Sequence, residues 1–418
     1  MISCEISAQS LQRSCANTNQ QCSNSPSLTR FNPWSQKMLA LPSSIQRPTC
    51  IKIFAGCIFG LLVLQLSSLV IPSLSPAEHF HTVSHSLSVS FPRPRPLPIP
   101  QFNVYGNTQC LPPVSPELIK KSVEKHAMCS RYSPFSTPRN RIATVTAHFG
   151  GLEGNEHYTR AFTTHLEHAL LHGHEVHVLC DKIIDDLWNK PAFILDLLFR
   201  EMAKPEDKRL EWLVWADRDT LILDQCRPSA SFLPPTKPEL SLAEWWRTYG
   251  GHISDSEESP EVNFLATNDM NGLNNGIFFV RVSPWAVSLF TAILAYRHYN
   301  PDVELLFTEQ SAMELVLNDD RFKDQVQMVP QHWFNSYSNG GAEDFVGRTD
   351  ASEEGMEETH ARRGDWLIHF AGNDHKDVAL NEWADMLEDM EDVWENDRVQ
   401  RDVSDEVRQF WEGKGFTQ

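Results

Sequence analysis

The chain has 418 residues, room for two or three domains or for one large catalytic domain with appendages. Hydrophobic residues make up 41% and charged residues 22%, which supports a sizeable core and excludes wholesale disorder. With 36 Lys+Arg against 55 Asp+Glu the net charge is -19, which excludes a nucleic-acid partner held through bulk phosphate contacts, and nine cysteines are too few for a disulfide scaffold.

Residues 1–50 are rich in Ser, Asn and Gln without periodicity and read as a disordered cytosolic tail. Phe54 to Ile71 then runs for 18 residues without a charge. At 1.5 Å per residue it reaches roughly 27 Å, close to a thin bilayer core. Too long for the apolar run of a signal peptide and preceded by some fifty polar residues, it predicts a retained membrane anchor over 51–72. Arg13, Arg30, Lys37, Arg47 and Lys52 all precede it and no basic residue follows until Arg93. The positive-inside rule therefore places the N-terminus in the cytosol and the residues after about 73 in a lumen or outside. Residues 73–138, with FPRPRPLPIP, read as an extended Pro-rich stem. Cys110 and Cys129 lie in it, and spacing alone does not say whether they pair with each other. There is no Asn-x-Ser/Thr acceptor.

From Arg141 the pattern is globular. Ile142–Thr146, Glu175–Leu179 and Trp212–Ala216 read as buried strands, and 156–172 and 187–203 as helices, the first closed by Gly173. This alternation predicts a parallel α/β sheet with right-handed crossovers, and in such a sheet ligands bind beyond the carboxyl ends of the strands. Residues 228–262 and 338–363 read as surface insertions, and 377–418 as an acidic helical region.

Four segments carry candidate chemistry. Strand Trp212–Ala216 delivers Asp217-Arg218-Asp219 to the sheet edge, where two carboxylates can ligate Mn²⁺ or Mg²⁺ beside a leaving diphosphate. The same residues also open haloacid-dehalogenase-like phosphatases, with Asp217 as nucleophile, although that motif belongs on a domain's first strand. Leu273-Asn274-Asn275-Gly276 reads as a turn into an apolar strand, whose Asn side chains either satisfy the turn or meet sugar hydroxyls. Thr308-Glu309-Gln310-Ser311 opens a helix with Thr308 as N-cap, and Glu309 or Gln310 could face a reacting sugar. His369-Phe-Ala-Gly372 ends a short strand: His369 can complete a cation site, Gly372 permits close backbone approach, and Lys376 adds positive charge for phosphate. His165, His168 and His172 share a helix face, which raises zinc, but no acid or Cys has matching spacing.

Taken in order, these segments resemble glycosyltransferase family 34, the α-galactosyl-, α-mannosyl- and α-xylosyltransferases of fungi and plants, over roughly 140–376. Trp188-Asn-Lys190 resembles its Trp-x-Lys segment, Asp217-Arg-Asp219 its Asp-x-Asp, and Leu273-Asn-Asn-Gly-Ile-Phe its Asn-x-Gly strand. Glu309-Gln-Ser-Ala resembles its Asp-Gln-Ser-Ala, Val329-Pro-Gln to Tyr337 its Pro-Gln…Asn-x-Tyr, and His369-Phe-Ala-Gly372 its His-Phe-x-Gly. Arg218, Glu309 and Asn373 depart from the residues usual there. The resemblance implies a GT-A-type, Rossmann-like catalytic domain over 139–376 on a single-pass type II Golgi anchor. It further implies a UDP-hexose or GDP-mannose donor, a glycan acceptor and retention of anomeric configuration. On it, Asp217, Asp219 and His369 hold Mn²⁺ or Mg²⁺, Asn274, Gly276, Gly372 and Lys376 join the aspartates in binding the donor, and Glu309 and Gln310 act at the sugar. The rival readings are a lumenal phosphatase and a catalytically silent subunit in a hetero-oligomer with other glycosyltransferases.

Overall fold

The computed structural model describes residues 99–135, 141–235, 261–338, 340–348 and 356–416, all within the compact unit Pro92–Gln418. The tail 1–50, the anchor 51–72 and residues 236–260 of the first insertion lie outside the described residues. Among the described residues no helix is long and apolar enough to cross a membrane.

The strands are β1 (Phe102–Tyr105), β2 (Ile142–Ala147), β3 (Glu175–Leu179), β4 (Trp212–Ala216), β5 (Thr220–Ile222), β6 (Phe264–Asp269), β7 (Gly272–Arg281), β8 (Val326–Val329), β9 (Ser336–Tyr337) and β10 (Leu367–His369). The helices that matter below are α1 (Pro116–Tyr132), α2 (Glu156–His172), α3 (Asn189–Met202), α4 (Pro284–Tyr299), α5 (Glu309–Leu317), α6 (Ala342–Gly347), α7 (Lys376–Asp389) and α8 (Ser404–Gly413). The main sheet runs β1-β3-β2-β4-β7-β6-β8, and a small one runs β5-β10-β9. β1, β3, β2 and β4 are mutually parallel, which the alternation predicted for β2, β3 and β4 and not for β1. β7 runs antiparallel to both β4 and β6, so the sheet is mixed rather than parallel throughout.

Strand β4 shows why its sequence is apolar at every position. Leu213 and Trp215 enter one core with Phe193, Leu197, Phe290 and Met313 of the helical layer. Trp212 and Val214 enter a second core on the other face, with Trp333, Trp366 and Trp411. Successive side chains of a strand point to opposite faces, so a strand covered on both must be apolar throughout. Gly173 closes α2 with φ 72°, a left-handed conformation that a side chain disfavours.

The stem reading needs correction. Within 73–138, β1 adds to the main sheet beside β3 and α1 packs on α2, with Lys121 3.0 Å from Glu167. Proline does not prevent this helix because Pro116 sits in its first turn, where the missing N–H has no helical partner, and the Ser115 hydroxyl accepts from Leu118 N–H at 3.1 Å. Cys110 and Cys129 do not pair with each other: the disulfides are Cys110–Cys180 and Cys129–Cys226. They span sequence separations of 70 and 97 residues and tie this segment to the rest of the fold. The first insertion likewise begins in the core, with Phe232 fully buried against Trp333 and Phe334. The acidic C-terminal region contributes Trp383 of α7 and Trp411 of α8 to two separate cores.

His165, His168 and His172 of α2 hold the backbone of β5 and of the segment after it. Nε2 of His165, His168 and His172 meets the carbonyl oxygens of Thr220, Arg227 and Gln225 at 3.2, 2.8 and 2.9 Å. Burial pushes His165 and His172 down to about 4, and His148 and His174 to about 3. His168 is also lowered well below its ordinary value by burial.

Two predictions follow from this packing. Peptide mapping without reduction should recover the 110–180 and 129–226 cross-links, and removing the second by Cys129→Ser/Cys226→Ser should cost about 2–5 kcal/mol of stability; a Cys110–Cys129 peptide would contradict the fold. The buried histidines stay neutral in the fold but take up protons when unfolded below about pH 6.5. Each therefore removes on the order of 1.4 kcal/mol per pH unit between about 6.5 and its depressed value. The thermal midpoint should be flat above pH 6.5 and fall steeply toward pH 5; an unchanged midpoint at pH 5 would contradict their burial.

Candidate active site

β4 ends at Ala216 and the chain turns through Asp217-Arg218-Asp219 into β5. β10 pairs antiparallel with β5, with His369 opposite Thr220, and Phe370 N–H donates to the Asp219 carbonyl at 3.0 Å. This register carries His369 to the Asp-x-Asp turn. One ligand atom from each of Asp217, Asp219 and His369 lies within 4.8 Å of the others. Asp219 and His369 are 7% and 5% exposed, whereas Asp217 is half-buried.

The imidazole is held in one orientation. Asn335 Nδ2 donates to Thr267 Oγ1 at 2.9 Å, so its Oδ1 accepts from His369 Nδ1 at 3.0 Å. Nε2 is the ring nitrogen turned toward Asp219 Oδ1, 3.6 Å away. Two carboxylates and an imidazole oriented by an outer amide suit a divalent cation such as Mn²⁺ or Mg²⁺. The Lys376 ammonium lies 2.7 Å from Asp219 Oδ2. Burial opposes the charge of Asp219, yet His369 and Lys376 hold its carboxyl well below the usual range.

A cleft of about 690 Å³ opens at the two aspartates, and its lining includes Asp217, Asp219, Glu309, Gln310 and Lys376. Lys190 crosses its floor: the ammonium is 3.1 Å from Asp217 Oδ1 and 3.5 Å from Glu309 Oε1, and donates to Asn275 O and Oδ1 at 3.0 and 2.9 Å. Burial works against the Lys190 charge, but Asp217 and Glu309 raise its pKa above the ordinary value. Glu309 is 2% exposed and its pKa is raised by burial, which Lys190 only partly counters. Its Oε1 accepts from Asn275 Nδ2 at 3.3 Å, while its Oε2 is buried without a partner among the described residues. The side-chain oxygen of Gln310 accepts from Asn275 N–H at 3.1 Å.

Other expected site residues take different parts. Thr308 does not cap α5; it has φ 52°, a conformation disfavoured for a β-branched residue, directly before Glu309. Ser311 Oγ instead accepts from Phe307 N–H at 2.9 Å. Asn274 and Gly276 lie inside β7, not in a turn before it. Asn274 Nδ2 donates to Asp269 Oδ2 and to Tyr337 Oη at 2.9 and 2.6 Å, and its Oδ1 accepts from Gly276 N–H, so it braces the strand and does not line the cleft. Gly276 matters for space: a Cβ there would collide with the His369 ring. Gly372 is exposed in the left-handed region at φ 67°, with nothing near a Cβ, so a backbone turn explains it and close approach does not. The phosphatase reading fits poorly, because three strands precede β4 among the described residues and Asp217 Oδ1 is already shared by Trp215 Nε1, at 2.6 Å, and Lys190.

The roles of Lys190, Asn275 and Asn335 were not assigned from sequence, though all three lie in motifs quoted above. The available signal was a Lys within a helix whose neighbours are buried apolar residues, a position that requires a carboxylate partner.

The sequence pattern of the galactosyl transferase GMA12/MNN10 family matches residues 143–377. A probable alpha-1,6-mannosyltransferase, MNN10, of Saccharomyces cerevisiae is 24% identical over 193 residues, 44% of this chain and 46% of that protein, so the match spans about half of the curated relative. Among solved structures, a glycosyltransferase involved in the glycosylation of the major capsid of PBCV-1 aligns with TM-score 0.39 and 13% identity, covering 59% of this chain and 98% of that one. The family match extends over more than half of the 418 residues and contains the Asp-x-Asp turn, β7, α5 and His369: the chain belongs to the galactosyl transferase GMA12/MNN10 family.

Proposed function

We propose that this chain is a retaining, GT-A-type glycosyltransferase of the Golgi lumen that moves a hexose, galactose or mannose, from a nucleotide sugar to a glycan acceptor. The observation that carries the reading is the convergence of Asp217, Asp219 and His369 at the edge of a cleft of about 690 Å³. A divalent cation held there supplies positive charge for the leaving diphosphate. The complete ligand set supports an active enzyme over a silent subunit. The disulfides and the charge asymmetry around 51–72 support a lumenal catalytic domain.

The chain's own residues then divide the work. Lys190 holds Asp217 and Glu309 apart and fixed, so that neither carboxylate turns away from the cleft. Glu309 Oε1 is committed to Lys190 and Asn275, which leaves Oε2 to accept a hydroxyl of the donor sugar. A carboxylate fixed in this way orients the sugar for attack from the face of the departing phosphate and does not itself bond to the anomeric carbon. The acceptor hydroxyl gives its proton to the leaving phosphate oxygen as the new glycosidic bond forms.

The full chain, incubated with Mn²⁺ and a panel that includes UDP-galactose and GDP-mannose, should transfer or hydrolyse one donor with retention. Asp219→Asn should lower that rate by orders of magnitude, and Glu309→Gln should keep a measurable fraction and trap no covalent adduct. Turnover unaffected by Asp219→Asn, or a glycosyl-Glu309 species in mass spectra, would contradict the assignment. Gly276→Ala should displace His369 and weaken Mn²⁺ binding while the fold melts cooperatively; wild-type Mn²⁺ affinity would remove His369 from the site.

A further inference from the structure

Four cations line the cleft, Lys182, Lys190, Arg218 and Lys376, against four acids, Asp186, Asp217, Asp219 and Glu309. Two of the cations are committed. Lys190 is shared by Asp217 and Glu309, and Lys376 is paired with Asp219. Lys182 is exposed to solvent, its ammonium 6.0 Å from the centroid of the Phe149 ring. Arg218 is different. It forms no ion pair among the described residues, and its guanidinium carbon lies 3.9 Å from the centroid of the Tyr158 ring. Tyr158 belongs to the first turn of α2, so the guanidinium is stacked on a rigid element and its N–H edge remains available.

A fixed cation between two metal-binding aspartates lowers the affinity of those aspartates for a divalent ion unless an anion arrives with it. The formal charges say which anion fits. Four cations and four acids balance, so a divalent cation alone leaves the cleft at +2, and the two charges of a nucleotide-sugar diphosphate restore neutrality. The guanidinium presents parallel N–H donors matched to phosphate oxygens, whereas an apolar or small residue at this position gives the diphosphate nothing.

We propose that Arg218, braced by Tyr158, is a diphosphate-binding residue of the donor site. This rests on the nucleotide-sugar reading and assigns to Arg218 a contact distinct from the metal ligands. It makes donor binding depend on this residue through charge and planar geometry, and leaves the metal site formed without it.

The test is calorimetric binding of UDP and GDP, and of uridine and guanosine, to the purified full chain in Mn²⁺. Arg218→Ala should weaken binding of the preferred nucleoside diphosphate on the order of 10–100-fold. Affinity for the nucleoside should stay unchanged and Mn²⁺ affinity should hold or rise. Arg218→Lys should fall between the two and Tyr158→Ala should weaken diphosphate binding partially; each variant is checked by a cooperative thermal transition. Equal diphosphate affinity in wild type and Arg218→Lys and Arg218→Ala, or parallel loss of nucleoside and nucleoside diphosphate, would overturn the assignment while leaving the enzyme reading intact. A wild-type chain that binds neither diphosphate would overturn both.

Discussion

Everything at this site depends on one strand pairing. β5 follows the Asp-x-Asp turn within a residue, and β10 lies against it with His369 opposite Thr220. Two backbone segments more than a hundred residues apart are thereby locked in register, and a slip of one residue would turn His369 to the opposite face. The register is enforced from outside the site. Leu367 and Ile222 enter the same aromatic core, Leu221 and Ile368 enter another with Trp383, and Asn335 on the preceding segment meets His369. The C-terminal helices α7 and α8 supply Trp383 and Trp411 to those cores, so the acidic tail is part of what aligns His369 with the two aspartates.

The second constraint is electrostatic. Three carboxylates, Asp217, Asp219 and Glu309, converge on one cleft, two of them almost fully buried. Buried charge of one sign is not tolerated without compensation. Lys190 answers Asp217 and Glu309, and Lys376 answers Asp219, from opposite ends of the catalytic fold. The two ammoniums differ in accessibility. Lys190 is 7% exposed and tied also to Asn275, so it is a fixed part of the framework, whereas Lys376 is half-buried at the start of α7 and holds a carboxylate that the cation would share.

Much of this was legible in the sequence because it is local. The apolar run of β4, the 3.6-residue spacing of α2 and Gly173 after it are periodic or stereochemical signals that each segment carries alone. Asp217, Asp219 and His369 were legible because their residue types follow strands, where α/β ligands gather. What escaped was long-range or conformational. The proline-rich composition before residue 138 hid α1, since proline at a helix start and proline in a linker look alike, and the choice between cysteine partners is made by tertiary contact. Asn274 carried the right motif but the wrong role: its partners Asp269 and Tyr337 come from β6 and β9, and spacing does not reveal them. Lys190 needed the opposite inference, from a charged residue in an apolar helix to partners on other elements.

The central claim is that β5–β10 pairing creates a divalent-cation site from Asp217, Asp219 and His369. Anomalous diffraction from crystals soaked in Mn²⁺ tests it most directly. The account predicts a manganese peak in contact with carboxylate oxygens of both aspartates and with His369 Nε2, with the Lys376 ammonium moved off Asp219. A peak bound elsewhere, or crystals that take up no manganese while Lys376 stays on Asp219, would contradict it.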